Sequence, residues 1–349
     1  MEIRFDQKTI FFVTGAYGHL GNVVIRDLLN RGARIRALIH PSDLSDERFN
    51  FPVELYRGDL RSRESIKAAF IHQPDEQLVV IHLASLISTF KGGFNRLYRT
   101  NVVGTKNLLE LAVANNAIRF LYVSSVHALT EPPLGVINHE RTDFNPKFVK
   151  GTYAKSKAMA SQLVLSYMNK LDVVMVHPSG IIGPFDYRHS PTNQVFFDYL
   201  NGKLPLIIKG GYDFVDVRDV SSGIINALLN GKRGENYILS GAYTTIENMI
   251  GILSKIAKNK APKVLPLWIA IIVAPFVEAW AKMSKRQPLF TPYSLYTTRS
   301  NGLFSHEKAR VAFDYCPRPL ADSLKDIYEW YFDSVMHPKR LKQHKKRYL

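Results

Sequence analysis

The stretch TYAKSK, Thr152 to Lys157, sets a tyrosine and a lysine four residues apart. On a helix, positions i and i+4 share a face, so the Lys157 ammonium can stand beside the Tyr153 phenol. A free phenol has a pKa of about 10, and a neighbouring positive charge favours the phenolate. Such a pair could exchange a proton with a carbonyl or alcohol oxygen near neutral pH. Two polar side chains on an ordinary helix have the same spacing, and in a chain with 17 tyrosines about one such match arises by chance. The surrounding elements must decide.

A second candidate for chemistry lies near the start. KTIFFVTGAYGHLGNVVIRDLLNRG passes from a continuous apolar strand, Ile10 to Val13, into a glycine-rich turn, then into Leu20, Val23, Val24 and Leu28 at helical spacing. Gly32 is placed to end that helix as a left-handed cap. Gly15, Gly18 and Gly21 thus fall where a strand hands over to a helix, the context in which glycines hold a pyrophosphate. Gly15 permits the sharp turn, and Gly18 lets backbone N–H groups approach an anion. Gly21 lets the helix pack close to the sheet, with its positive end aimed at the ligand. A tight turn without a ligand has the same composition.

Strand-like runs then alternate with helical ones: RIRALI (34–39), VELYR (53–57), VVIHLA (79–84), IRFLYVSS (118–125) and DVVMVHP (172–178). Near-continuous apolar strands, spaced far enough apart for crossover helices, predict an α/β fold, a Rossmann-type doubly wound parallel sheet covered on both faces. Ligand belongs at the carboxyl ends of the strands, where Asp59, Ala84, Ser125 and Pro178 fall.

The 349 residues exceed one average domain and carry enough apolar content to bury a sizeable core. The division expected is a dinucleotide-binding core over 1–180 with a return near 212–240. A smaller, mainly C-terminal substrate-binding lobe occupies 181–211 and 241–335, and a basic tail 336–349. The single cysteine, Cys316, allows no internal disulfide and no cysteine cluster for zinc; no metal site is expected, and a reducing compartment fits. MEIRFDQK lacks the features of a signal peptide, so a cytoplasmic location is expected. The net charge of +16, with six lysines and arginines in PKRLKQHKKRYL, raises nucleic acid and anionic membranes as partners. No nucleic-acid module accompanies it, which leaves a solvated tail or peripheral membrane contact.

The order TGAYGHLG, GDL (58–60), HLAS (82–85), NVVGT (101–105), YVSS (122–125), YAKSK (153–157) and HPSGIIGP (177–184) resembles the extended short-chain dehydrogenase/reductases, in the NAD-dependent epimerase/dehydratase superfamily. The likeness continues through FVDVRDV (214–220) and FSHEKAR to DYCPRPLADSLKDIYEW (304–330), and it is greatest to the dihydroflavonol reductase and 3β-hydroxysteroid dehydrogenase-like subgroup. The resemblance implies that Tyr153 and Lys157 are the catalytic pair and that Ser125 hydrogen-bonds the reacting oxygen, with Ser124 against the cofactor. It implies cofactor contacts from Gly15, Tyr17, Gly18, His19, Leu20, Gly21, Leu83, Ala84, Ser85, Pro178, Tyr153 and Lys157, and places Asp59 and Leu60 at the adenine edge. Asn101 matches an asparagine that supports the site, with helix capping as an alternative role. His82 reads as a buried, satisfied histidine that borders the cofactor, and His127 and His177 read as structural, having no carboxylate or cysteine partner in sequence.

NAD-using relatives carry an acidic residue at the end of the second strand, about twenty residues after the glycines. Ile39 fills that place here. His40 follows, where it could bond a 2′-phosphate, and Arg36 lies nearby, so the reading leans to NADP(H) over NAD(H).

The family also includes sugar-nucleotide enzymes. VHALT after YVSS lacks the Asp-Glu pair of the sugar-nucleotide 4,6-dehydratases, and LPLIIKGG (204–211) offers no arginine-rich cradle for a diphosphate. Val264 to Val277 is uncharged and almost wholly apolar, interrupted by Pro266 and Pro275 and closed by Glu278, short of the roughly twenty residues that span a bilayer. It reads as a buried or lid helix over an apolar pocket, as an interfacial helix assisted by Lys282, Lys285, Arg286 and the tail, or as packing against the second lobe or a partner subunit in a homodimer. The expected activity is interconversion of a secondary alcohol and ketone on a small hydrophobic substrate, steroid- or flavonoid-like, with Ser179, Tyr187, Tyr293 and Tyr296 as pocket candidates beside Ser125. Nucleotide-sugar epimerisation and a non-catalytic dinucleotide sensor remain as alternatives.

Overall fold

The computed structural model describes residues 2–43, 49, 51–87, 93–284 and 292–336. Lys285, Arg286 and the tail from residue 337 lie outside these residues, as does the side chain of Lys282.

Twelve strands are present among the described residues. They are β1 (Thr9–Thr14), β2 (Arg34–Ile39), β3 (Glu54–Arg57), β4 (Gln77–His82), β5 (Arg119–Val123), β6 (Val173–Pro178), β7 (Gly180–Ile182), β8 (Leu206–Ile208), β9 (Gly211–Asp216), β10 (Asn236–Leu239), β11 (Ala242–Thr245) and β12 (Lys263–Leu265). Seven of them form one sheet in the order β10-β6-β5-β4-β1-β2-β3, with all pairs parallel. The order reverses between β1 and β4, which opens a crevice at their carboxyl ends.

Successive residues of a strand point to opposite faces, and both faces of this sheet are covered. Ile10 and Phe12 of β1 join Leu78, Val80, Phe120 and Tyr122 in one core, closed by Leu108 and Leu109 of the helix Gly104–Ala114 and by Ala154 and Ala158 of the helix Thr152–Ser166. Phe11 and Val13 join Val79, Ile81, Leu121 and Val123 in the other, closed by Ile25 and Leu28 of the helix His19–Asn30 and by Ile224 and Leu228 of the helix Val217–Asn230. The first of these helices ends as expected: Gly32 has φ +79°, its N–H bonds the Leu29 carbonyl, and the Ala33 N–H bonds that of Leu28.

Beyond β6 the chain adds a three-stranded sheet, β11-β9-β7, and a parallel pair, β12-β8. β12 leads into the helix Leu267–Ser284, which has Pro275 inside it. The reading of this stretch as a buried helix or pocket lid is corrected: its large apolar side chains, Trp268 and Phe276 among them, are exposed, and none of it lines the cavity at Tyr153. Among the described residues no helix is long and apolar enough to cross a membrane.

Candidate active site

β5 delivers Ser124 and Ser125 to the crevice. Ser125 caps the short turn Val126–Ala128 through its hydroxyl, which accepts the His127 N–H at 3.3 Å. The Ser124 hydroxyl lies 2.8 Å from that of Ser161, tying the strand end to the Thr152–Ser166 helix. That helix starts at Gly151, whose φ of +96° suits glycine alone among common residues. Tyr153 and Lys157, one turn apart, are both buried and line the same cavity as Ser125.

Lys157 Nζ donates to the Val123 carbonyl at 2.8 Å and to the Tyr122 hydroxyl at 3.3 Å, and stands over the Tyr122 ring. Burial pulls its pKa down to about 7. Burial also pushes the Tyr153 phenol up to about 12, with the Ser125 hydroxyl pulling the other way. Low-dielectric surroundings penalise ammonium and phenolate alike, and here that effect dominates.

The glycine turn sits at the point where the strand order reverses. Gly15 has φ +74°, and a Cβ there would stand 2.9 Å from the Ala84 backbone. A Cβ on Gly21 would collide with the Gly15 carbonyl oxygen. Gly18 caps the His19–Asn30 helix with no side-chain hydrogen bond, leaving the positive helix end open to an anion. A side-chain-free cradle beneath an uncapped helix end fits the pyrophosphate of a dinucleotide.

A cavity of about 640 Å³ joins this cradle to the tyrosine. His19, Leu20, Leu83, Ala84, Ser85, Ser124 and Pro178 line it along with the three glycines, and Ser179 and Tyr293 lie on its wall. The other expected site residues do not line this cavity. Tyr17 stacks on Phe49 at 4.5 Å, and Leu60 fills the core against Gly104. Tyr187 packs edge-on to Phe49 and Trp330. Tyr296 donates its hydroxyl to Glu131 at 2.9 Å and faces a separate small cavity. Asp59 is gripped by Arg61 at 2.7 Å, with His40 Nε2 at 3.8 Å. Arg36 is spent on Glu54 and on the carbonyls of Ala69 and Ile71, so it is not a phosphate ligand.

Asn101 is a brace, not a cap. It lies inside the wide helical turn Tyr98–Val103, where its side chain accepts from the Leu86 N–H at 2.8 Å and donates to the Leu86 carbonyl and to the Ser156 hydroxyl. It therefore fixes the segment after β4 to the helix of Tyr153. His82 is buried and satisfied, bonded to Thr14 at 2.8 Å and Thr105 at 2.9 Å, and burial pulls its pKa to about 3. His177 bonds the Ser125 carbonyl and stacks on Phe144, a structural role.

His127 also belongs to the cavity wall. It stacks on Tyr212 at 5.5 Å and stands edge-on to Tyr153, and burial pulls its pKa to about 4. Tyr212, Phe196, Ile207 and Met249 complete a wall that the sequence reading did not contain. Gly151 was also missed, although it directly precedes TYAKSK.

The fold and this crevice define a dinucleotide-binding α/β protein with a tyrosine and a lysine at the cofactor cleft. The model of the NAD dependent epimerase/dehydratase family matches residues 11–240, and the chain belongs to that family, among the extended short-chain dehydrogenase/reductases. It is 31% identical over 331 residues to Sterol demethylase protein B of Methylococcus capsulatus, covering 93% of this chain and 98% of that one. It is 26% identical to the human Sterol-4-alpha-carboxylate 3-dehydrogenase, decarboxylating, covering 98% and 92%. The crystal structure of gox2253 superposes with a TM-score of 0.79 at 31% identity, covering 93% of this chain and 98% of that one.

Proposed function

We propose that the chain is an NAD(P)-dependent dehydrogenase/reductase that interconverts a secondary alcohol and a ketone on a hydrophobic, steroid- or flavonoid-like molecule. The observation that carries this reading is the composition of the cavity. Its polar groups, Ser85, Ser125, Tyr153 and Ser179 among them, come with an apolar wall of Ile181, Val195, Phe196, Leu206, Ile207 and Met249. Among the described residues that line it, Lys157 is the only lysine, arginine, aspartate or glutamate. A nucleotide sugar brings a second diphosphate, beyond the one the glycine turn would hold, and charge-assisted bonds from arginine or lysine favour such a group. The scarcity of these among the described lining residues weighs against epimerisation. The names of the two sterol-related relatives point the same way.

A nicotinamide dinucleotide supplies the hydride donor or acceptor when bound. The protein's residues do the rest. Tyr153, a neutral phenol in the buried cleft, donates its proton to the carbonyl oxygen during reduction and is left as the phenolate; in the oxidation direction that phenolate takes the proton from the alcohol. Ser125 holds that oxygen by a hydrogen bond. Lys157, anchored on the Val123 carbonyl, supplies positive charge when negative charge enters the cleft. The missing carboxylate at Ile39 and the exposed His40 beside it support NADP(H) over NAD(H).

The test is a nicotinamide absorbance assay with both cofactors against hydroxy- and ketosteroids, flavonoids and nucleotide sugars. Turnover of an apolar ketone or alcohol, with a lower KM for NADPH than for NADH, is expected. Turnover of nucleotide sugars alone would refute the reading.

A further inference from the structure

The helix Leu267–Ser284 is apolar around most of its circumference yet buries a single stripe. Ala270, Ala274 and Glu278, four residues apart, are 0%, 1% and 5% exposed, and the two alanines pack against Leu295, Ile208 and Leu265. The opposite stripe, Trp268, Ile272, Phe276 and Trp280, is 66%, 60%, 73% and 57% exposed. Contiguous apolar surface of this kind marks an interaction site. Two of the chain's three tryptophans lie on it, and tryptophan favours the boundary between water and hydrocarbon.

Charge selects the occupant. The chain carries +16, and exposed cations flank the helix. Arg299 lines a small cavity with Ile271 and Tyr296, Lys150 stands 4.6 Å over the Tyr296 ring, and Lys263 lies in β12, which leads into the helix. Of the carboxylates here, Glu278 is buried and Glu131 accepts the Tyr296 hydroxyl. A second copy docked through the same face would present the same excess of positive charge to it. An anionic surface would not. No described helix can cross a bilayer, so contact of this helix with one would run along the surface.

We infer that this helix docks the protein onto an anionic lipid bilayer, with Trp268, Phe276 and Trp280 in the acyl boundary and Lys150, Lys263 and Arg299 facing the headgroups. The docking is independent of the reaction and is read without turnover.

The test is flotation of the full chain with vesicles of phosphatidylcholine and phosphatidylserine, against phosphatidylcholine alone, with quenching of tryptophan fluorescence by brominated phosphatidylcholine. Trp330 is 4% exposed, so quenching reports the helix. Binding to the anionic vesicles, weakened by salt, is expected, with at least about a tenfold loss in the Trp268→Ser, Phe276→Ser, Trp280→Ser triple variant at an unchanged thermal midpoint. Lys150→Glu with Lys263→Glu keeps the apolar stripe and is expected to remove the preference for anionic vesicles. Triple-variant binding equal to the parent's would overturn the inference. So would absence of binding together with a dimer that the triple variant dissolves in ultracentrifugation.

Discussion

The Tyr293 ring occupies the space where a side chain on Gly151 would begin. Gly151 is the residue from which the Tyr153 helix starts, and Tyr293 lines the cavity, so the start of that helix and the cavity wall are built against each other. Gly151→Ala meets both the φ of +96° and the ring. A loss of about 1–3 kcal/mol of stability is expected in denaturant unfolding, with a severalfold rise in KM for the apolar substrate.

Lys157 carries a cost in the ligand-free protein. Its pKa of about 7 lies below the 10.5 of a free lysine, so between those values the unfolded chain binds more protons and stability rises with pH. Below about pH 7 the full cost is present. Lys157→Met is expected to abolish turnover yet stabilise the fold near pH 6 by a few kcal/mol, less about 1 kcal/mol for the hydrogen bond lost at the Val123 carbonyl. That gain should shrink as pH climbs toward 10.5, which unfolding curves at the two ends of the window would show.

Asp213 on β9 behaves in the opposite sense. Burial pushes its carboxyl up to about 6 from 3.8, so the folded state binds more protons in that window and stability falls as pH rises through it. Its Oδ1 accepts the Gly241 N–H at 2.8 Å, a bond an asparagine can keep. Asp213→Asn is expected to gain about 2–3 kcal/mol above pH 6 and nothing below 3.8. Equal unfolding midpoints at neutral pH would show that the carboxylate is compensated.

The parts legible in sequence are those written in consecutive residues. RIRALI is β2 from end to end, because a strand buried on both faces is a continuous apolar run with its polar exceptions at fixed places. TGAYGHLG and Gly32 announce their turns through backbone conformations that favour glycine. What could not be read depends on distant segments meeting. Arg36 lies near the glycines in the count, but the register sets it opposite Glu54, which removes it from the cofactor. Tyr293 and Tyr296 share one short helix, and only its docking sends one to the cavity and the other to Glu131. His127 had no partner in sequence because Tyr212 arrives from β9. The direction of the Tyr153 shift depends on burial, which a four-residue spacing does not encode.

The measurement that bears most directly on the account is single-turnover hydride transfer by Tyr153→Phe, followed by nicotinamide absorbance with saturating cofactor and an apolar ketone accepted by the parent protein. A fall of about 10²–10⁴ in rate is predicted, with dinucleotide affinity by fluorescence titration changed less than about twofold. A variant that transfers hydride at the parent's rate would remove Tyr153 from the chemistry and the proposed mechanism with it.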